Sequence, residues 1–239
     1  MRSDVERASP EELLPVLRSF AMNNGAALFG ACPIDGVRDT FHFAPGEAEG
    51  LPYALSLAVR LSKAVLDGLR DGPTLLYKWH YRQANAHLDR LAFLLAGLLQ
   101  HHRWQAVSVP ASQVVDWQNQ TGHLSHRHLA VAAGLGWLGR NNLLVTPSFG
   151  AQVRLVTVLT DMPVPKPEPL PFSCNECRAC IAACPAHAIG ETREEFVFQR
   201  CYDQVRTFAK SRSLGVYICG LCVRACPGLE RTRAVDSAK

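Results

Sequence analysis

Eight of the nine cysteines in this 239-residue chain fall between Cys174 and Cys226, and their spacing is the feature most able to do chemistry. One set reads Cys174-x-x-Cys177-x-x-Cys180-x-x-x-Cys184-Pro185. The other reads Cys219-x-x-Cys222-x-x-x-Cys226-Pro227, with Cys201 upstream in place of the first cysteine of the repeat. Such a run lets a tight loop wrap three thiolates around one 4Fe-4S cluster, while the fourth cysteine reaches the neighbouring cluster. By this crossover logic Cys174, Cys177, Cys180 and Cys226 bind one cluster, and Cys201, Cys219, Cys222 and Cys184 bind the other. Pro185 suits the first position of a helix, where a missing amide donor costs nothing. A pair of zinc sites is the competing use of C-x-x-C pairs, but zinc sites show two separated pairs rather than a continuous run. Disulfides fit poorly as well. The start MRSDVERASPEELLP is charged where a secretory signal is apolar, so a cytoplasmic location and metal ligation are expected.

Two clusters with all their ligands supplied by cysteine move electrons one at a time and leave no open iron for an organic substrate. The chemistry then belongs to the preceding residues, which contain only Cys32. With 48% hydrophobic residues the chain can bury a large core, and disorder is excluded. A balance of 25 basic to 21 acidic residues is too mild to announce a nucleic-acid surface. No apolar run reaches the roughly 18 to 20 residues of a membrane span.

The elements that must position this chemistry read as mixed α/β. EELLPVLRSFAMNN predicts a helix ending at Gly25, and GAALFGACPI and PYALSLAVRL predict buried strands. From Tyr81 to His102 a helix places Leu88, Leu91, Leu95, Leu98 and Leu99 on one face, followed by a strand in WQAVSV. HLSHRHLAVAAG predicts a helix closed by Gly134. NNLLVTP, a turn at Ser148 to Gly150 and AQVRLVTVLTD have the β-branched content of a hairpin. The alternating prolines of Met162 to Pro171 predict a linker running over a surface. The expected organisation is a mixed α/β (α+β) domain over 1–161, a linker over 162–171, and a bacterial-type double 4Fe-4S ferredoxin-like module over 172–239.

The segment HLAVAAGLGWLGRNNLLVTPSFGAQVRLVTVLTD, followed by two cysteine sets with Cys201 set apart, resembles the epoxyqueuosine reductases, relatives of the reductive dehalogenases. The matching motif is Ala133-Gly134-Leu135-Gly136-Trp137-Leu138-Gly139-Arg140-Asn141, where the family usually has lysine at the position of Arg140. The resemblance implies a cobalamin reduced by the clusters to a nucleophilic cobalt(I) state. It assigns Gly134, Gly136, Trp137, Gly139, Arg140 and Asn141 to that cofactor. Glycines there allow close backbone approach to a flat macrocycle, or equally a tight helix-to-strand connection. The family removes an epoxide oxygen from a modified tRNA base and usually continues into a helical-repeat domain that helps hold tRNA. This sequence stops about a dozen residues after Cys226, which predicts a short form without that domain and leaves tRNA binding without support.

The family also carries an aspartate shortly before the motif as a proton source. Here SVPASQVVDWQNQTGHLSHRHL lacks it in place, and Asp116 is the candidate substitute if burial raises its pKa. Catalytic candidates are therefore Asp116, His126 and Tyr81. His123, His126 and His128 cannot all serve one side of a helix, and Tyr81 with His80 stands where packing at a helix start is the plainer use. Cys32 reads as an inert buried thiol, and Arg140 and Arg154 as possible cofactor contacts. The leading reading is a cobalamin-dependent reductase of a small or nucleoside-like substrate, supplied by a reduced flavodoxin- or ferredoxin-type donor. The alternative is a ferredoxin-like electron-transfer or corrinoid-activating protein with no substrate of its own. A flavin enzyme would need a phosphate-binding loop, and the sequence offers no convincing one.

Overall fold

The computed structural model describes residues 7–229. In chain order the elements are α1 (Pro10–Asn23), β1 (Leu28–Pro33), β2 (Tyr53–Arg60), α2 (Lys63–Asp67), α3 (Leu75–His101), β3 (Ala106–Val109) and α4 (His126–Ala132). They continue with β4 (Trp137–Leu138), β5 (Leu144–Val145), β6 (Val153–Thr160), α5 (Ala179–Ala182), α6 (Phe198–Ser211) and α7 (Leu221–Arg224). Two compact units result, each assembled from three stretches. The first takes residues up to Val59, Asn85–Leu135 and Arg154–Pro169; the second takes Arg60–Ala84, Gly136–Val153 and the chain from Leu170 on. Continuity of sequence suggested one division at 162–171. Packing divides the chain differently, because 60–84 and 136–153 fold with the cysteine segment.

The first unit is a mixed α/β layer around a sheet ordered β1-β2-β6-β3. β1 pairs antiparallel with β2, Leu28 opposite Ala58 and Pro33 opposite Tyr53. β3 pairs antiparallel with β6, Ala106 opposite Thr160 and Val109 opposite Thr157. β2 and β6 are the inner strands and are buried along nearly their whole length, which explains their continuous apolar runs. α1 begins at a capping box, with the Ser9 hydroxyl accepting from the Glu12 N–H, and ends where Gly25 turns at φ +95°. On α3, Leu88, Leu91, Leu95 and Leu99 are buried and Leu98 is half-buried. α4 stops in a Schellman turn: the Leu135 N–H reaches Ala130 O at 2.9 Å and Gly134 adopts φ +73°.

In the second unit β4 and β5 form a two-stranded antiparallel pair, Trp137 opposite Val145. From Leu170 to Leu229 the described residues hold α5, α6 and α7 and no strand, so the coarse α/β class stands while the ferredoxin-like detail of the module is not seen as strands.

Four local expectations differ from what the chain does. α3 starts at Leu75, because Thr74 after Pro73 caps it through its hydroxyl to the Tyr77 N–H; His80 and Tyr81 therefore lie inside the helix. α4 starts at His126, leaving His123 outside it. The turn at Ser148 to Gly150 does not make a β5–β6 hairpin. Pro147 offers no ladder donor and Gly150 turns left-handed at φ +56°, so pairing stops at one Thr146–Gly150 bridge and β6 joins the other sheet. Finally, Met162 and Val164 are buried, so the proline-rich stretch is partly core. Among the described residues no helix is long and apolar enough to cross a membrane.

Two glycines of the first unit test this packing in opposite directions. A Cβ on Gly30 would stand 2.4 Å from Ala133 O, whereas one on Gly97 of α3 meets nothing within 4 Å. Gly30→Ala is expected to destabilise by about 1–3 kcal/mol. Gly97→Ala should stabilise by about 0.5–1 kcal/mol, as an exposed helix glycine does, both read by urea denaturation.

Candidate metal centre

Eight thiols gather in the second unit, carried by short elements that the chain forces to turn sharply. Cys180 lies on α5 and Cys184 just after it, Cys201 on α6, and Cys222 on α7 with Cys219 and Cys226 flanking it. Cys226 is pushed up to about 12, first by burial and then by the neighbouring thiols of Cys174, Cys180 and Cys177. Burial raises Cys180 too, with Cys174 and Cys177 adding to it. The other thiols behave as a second group. Cys201 is raised by burial and by Cys184, and Cys219 reaches about 11 through burial, Cys201 and Cys184. Cys222 is raised furthest, by burial, then by Cys219 and Cys201, with Cys180 and Cys184 contributing. The neighbours thus sort as 174, 177, 180 and 226 against 184, 201, 219 and 222, and Cys180 beside Cys222 links the two groups.

Among the described residues no three His, Cys, Asp or Glu side chains converge closely enough to hold one metal ion.

Glycine turns fix these loops. Gly220, at φ +85°, leaves room for the Tyr77 ring, which a Cβ would meet at 2.7 Å, and Tyr77 thereby braces the Cys219–Cys222 loop. A Cβ on Gly150 would stand 2.1 Å from Cys226 O, and one on Gly228 would stand 2.5 Å from Pro147 O. The Ala151 N–H donates to Cys226 O, and the Gln152 amide donates to Arg224 O at 3.0 Å. The turn after β5 is therefore a cradle for Cys226. Tyr77, Gln152 and Gly220 went unnoticed in the sequence and Gly150 was read only as part of a turn; the left-handed demand at Gly150 and Gly220 was the available signal.

The glycine motif serves the same centre. Gly136 lets β4 approach Val145 O, 2.1 Å from where a Cβ would sit, and a Cβ on Gly139 would meet Val145 at 2.6 Å and Cys174 Sγ at 3.5 Å. Gly134 belongs to the first unit and closes α4. The close approaches of Gly136 and Gly139 are thus accounted for by the chain itself. Arg140 is likewise engaged: its guanidinium donates to Glu191 O, to Cys177 O at 2.9 Å and to Asn175 O at 2.7 Å, clamping the first cysteine loop. Two donors of the motif stay unused. Trp137 Nε1 and Asn141 Nδ2 are buried with no hydrogen-bond partner, while the Trp137 ring stands 6.0 Å from Phe172. Such orphaned donors fit a bound group that brings acceptors, whether cluster sulfur or the amide carbonyls of a corrinoid.

No known family profile matches the chain. The epoxyqueuosine reductase of Bacillus cereus is 32% identical over 147 residues, 61% of this chain and 37% of that protein. The tetrachloroethene reductive dehalogenase of Sulfurospirillum multivorans is 34% identical over 111 residues, 41% of this chain and 22% of that protein. Among solved structures, a reductive dehalogenase described as suggesting a mechanism for B12-dependent dehalogenation superposes with a TM-score of 0.75 at 20% identity, covering 100% of this chain and 35% of that one. The chain is similar in sequence to part of the epoxyqueuosine reductases and the reductive dehalogenases and shares their fold. Selenomethionine-labelled epoxyqueuosine reductase shares the fold at a TM-score of 0.59 and 20% identity, over 93% of this chain and 67% of its own. The matched region spans less than half the length of the curated relatives it matches first.

The candidate acids and bases lie outside the cysteine loops. Asp116 does not have the raised pKa expected of it. It caps its own turn, Oδ1 accepting from Gln118 N–H and Asn119 N–H and Oδ2 from the Asn119 amide, and these bonds hold its carboxyl below the usual range. It is an anion at neutral pH, not a proton store. His126 is driven down to about 4, first by burial, with Arg154 helping. Its Nε2–H donates to Pro110 O at 2.9 Å and its Nδ1 accepts from the Thr157 hydroxyl at 2.8 Å, so it is a neutral structural ring. His123 donates to His42 O and stacks on Phe43, with centroids 4.9 Å apart. His80 accepts from the Ser62 N–H, and burial lowers its pKa. Tyr81 is half-buried on α3 and His128 half-buried on α4. Arg154 donates to Asn85 Oδ1 at 3.0 Å and to Ala111 O at 3.3 Å within the first unit. Cys32 is a buried thiol raised to about 12 by burial, as expected of an inert one.

His126 makes stability depend on acid. The unfolded chain takes up a proton near the ordinary 6.5 that the folded ring refuses until about 4. Stability is therefore full above pH 6.5 and is lost as pH falls toward 4, by up to ~1.4 kcal/mol per pH unit. His126→Gln should flatten this slope in urea denaturation between pH 7 and 4.5; an unaltered slope assigns the acid sensitivity elsewhere.

Proposed function

We propose that this chain is part of a corrinoid-dependent oxidoreductase, in which two 4Fe-4S clusters deliver single electrons to a bound cobalamin that reduces a small or nucleoside-like substrate. The observation that carries it is the sorting of eight clustered thiols into two interleaved groups, each taking one cysteine from the other's sequence run. In this reading Cys174, Cys177, Cys180 and Cys226 ligate one cluster, and Cys184, Cys201, Cys219 and Cys222 ligate the other. Metal binding would remove the protons that burial otherwise keeps on Cys180, Cys201, Cys219, Cys222 and Cys226.

When bound, the cobalamin supplies a strongly reducing, nucleophilic metal centre. Trp137 would offer it an unpartnered indole N–H and a flat ring suited to stacking. Gly134, Gly136 and Gly139 shape the backbone that presents this ring, and Arg140 holds the cysteine loop rather than the cofactor. The B12-dependent dehalogenase of the same fold supports this cofactor, and the epoxyqueuosine reductases among the relatives support a nucleoside-like substrate. One of these has been solved with an epoxyqueuosine-modified tRNA stem loop. The electron donor is a flavodoxin- or ferredoxin-type protein. A recess of about 1290 Å³ on the second unit is lined by Cys174, Cys177 and Cys184 together with Lys63, Arg70 and Glu176, so ligand thiols and charges of both signs meet there. A second reading, a carrier or corrinoid activator without its own substrate, draws on the placement of Asp116 and His126, neither of which is set to donate a proton.

Anaerobic reconstitution with iron and sulfide should load about eight irons per chain, the content of two such clusters. Cys226→Ser should remove the first cluster and Cys201→Ser the second, each leaving about half the iron. Added hydroxocobalamin should survive desalting at one equivalent. Loss of corrinoid from fully loaded protein would favour the carrier reading, and iron binding indifferent to both substitutions would contradict the ligand sets.

A further inference from the structure

The side chain of Asn141 is half used. The residue is 4% exposed, and its Oδ1 accepts from the Leu143 N–H at 3.2 Å, which fixes the oxygen end of the amide. Its Nδ2 is buried and donates to nothing in the chain. The large majority of buried amide donors in folded proteins are satisfied, so an acceptor fits beside it. Gly139 marks the place: an atom added there would stand 2.9 Å from Asn141 Oδ1 and 3.5 Å from Cys174 Sγ. Amide and ligand thiol flank the same point. Arg140, the adjacent side chain, is fully directed to carbonyls of the cysteine loop, so it neither supplies an acceptor nor competes for sulfur. The second thiol group receives a donor of its own kind, the Ala188 N–H on Cys184 Sγ at 3.4 Å.

We propose that Asn141 donates its Nδ2–H to a sulfur of the cluster held by Cys174, Cys177, Cys180 and Cys226, and so sets that cluster's reduction potential. This rests on the cluster assignment above. Cluster sulfur becomes a better acceptor when the cluster gains an electron, so a donated hydrogen bond stabilises the reduced state and raises the potential. Asn141 is then a positioning and tuning residue, and its loss lowers one potential and leaves the other alone.

The test uses the full chain, reconstituted anaerobically without corrinoid, with iron and sulfide counted first and both midpoint potentials followed by EPR. Asn141→Leu should lower one potential at undiminished iron content, and Asn141→Asp, which adds an acceptor and a charge, should lower it further. Unaltered potentials in loaded variants overturn the inference alone. A shift that appears only after hydroxocobalamin is added also overturns it, because the amide then serves the corrinoid. A wild type that takes up no iron overturns the cluster assignment and this inference together. If neither variant loads iron, wild-type protein carrying ¹⁵N in asparagine side-chain amides decides: a ¹⁵N coupling on the reduced cluster in pulsed EPR supports the bond, and its absence overturns it.

Discussion

Burying thiols beside thiols is the constraint on which the second unit depends. Each buried sulfur resists ionisation, and each thiolate formed would repel the next, so the group is comfortable only when protonated or when a cation takes the protons' place. A chain that brings these thiols together must hold the loops by other means. It does so with backbone: the Gly150 and Gly228 approaches around Cys226, the Tyr77 ring beneath Gly220, and the Arg140 fork on the carbonyls of Asn175 and Cys177. Arginine suits that clamp better than lysine, since three carbonyls in different directions need a planar set of donors that one ammonium on a flexible stem does not present.

The unused donors follow from the same constraint. Arg140 is satisfied three times over, whereas Trp137 Nε1 and Asn141 Nδ2 are bare, as a bound group that brings acceptors would use them. By contrast Arg154, His126 and Asp116 are all satisfied by their own surroundings in the first unit. Charge and hydrogen bonding thus separate structural polar residues from those awaiting a ligand better than residue type does.

The spacing of the cysteines was legible because ligand runs are local: three thiolates two residues apart need only one tight loop, and the crossover partner follows from the second run. The helices and strands with strong periodicity, α1, β2, the Leu88 to Leu99 face and β6, were legible for the same reason. The start of α3 was missed because its signal is a single capping residue, Thr74, rather than a periodic pattern. The β5–β6 hairpin was misread because local β-branched content cannot tell which partner a strand will choose, and here Pro147 and Gly150 turn the chain toward Cys226 instead. The acid at Asp116 failed on geometry. Sequence showed a carboxyl in roughly the right interval, but not that Gln118 and Asn119 would fold back onto it and keep it ionised.

The account stands on which thiols share a metal group. Diffraction from crystals of anaerobically loaded protein, collected on both sides of the iron absorption edge, reads this directly. The expected anomalous map holds two compact four-iron peaks, one reached by Cys226 from the far run and the other by Cys184. Single-ion peaks, a signal at the zinc edge instead, or two clusters each ligated by one uninterrupted run would contradict it.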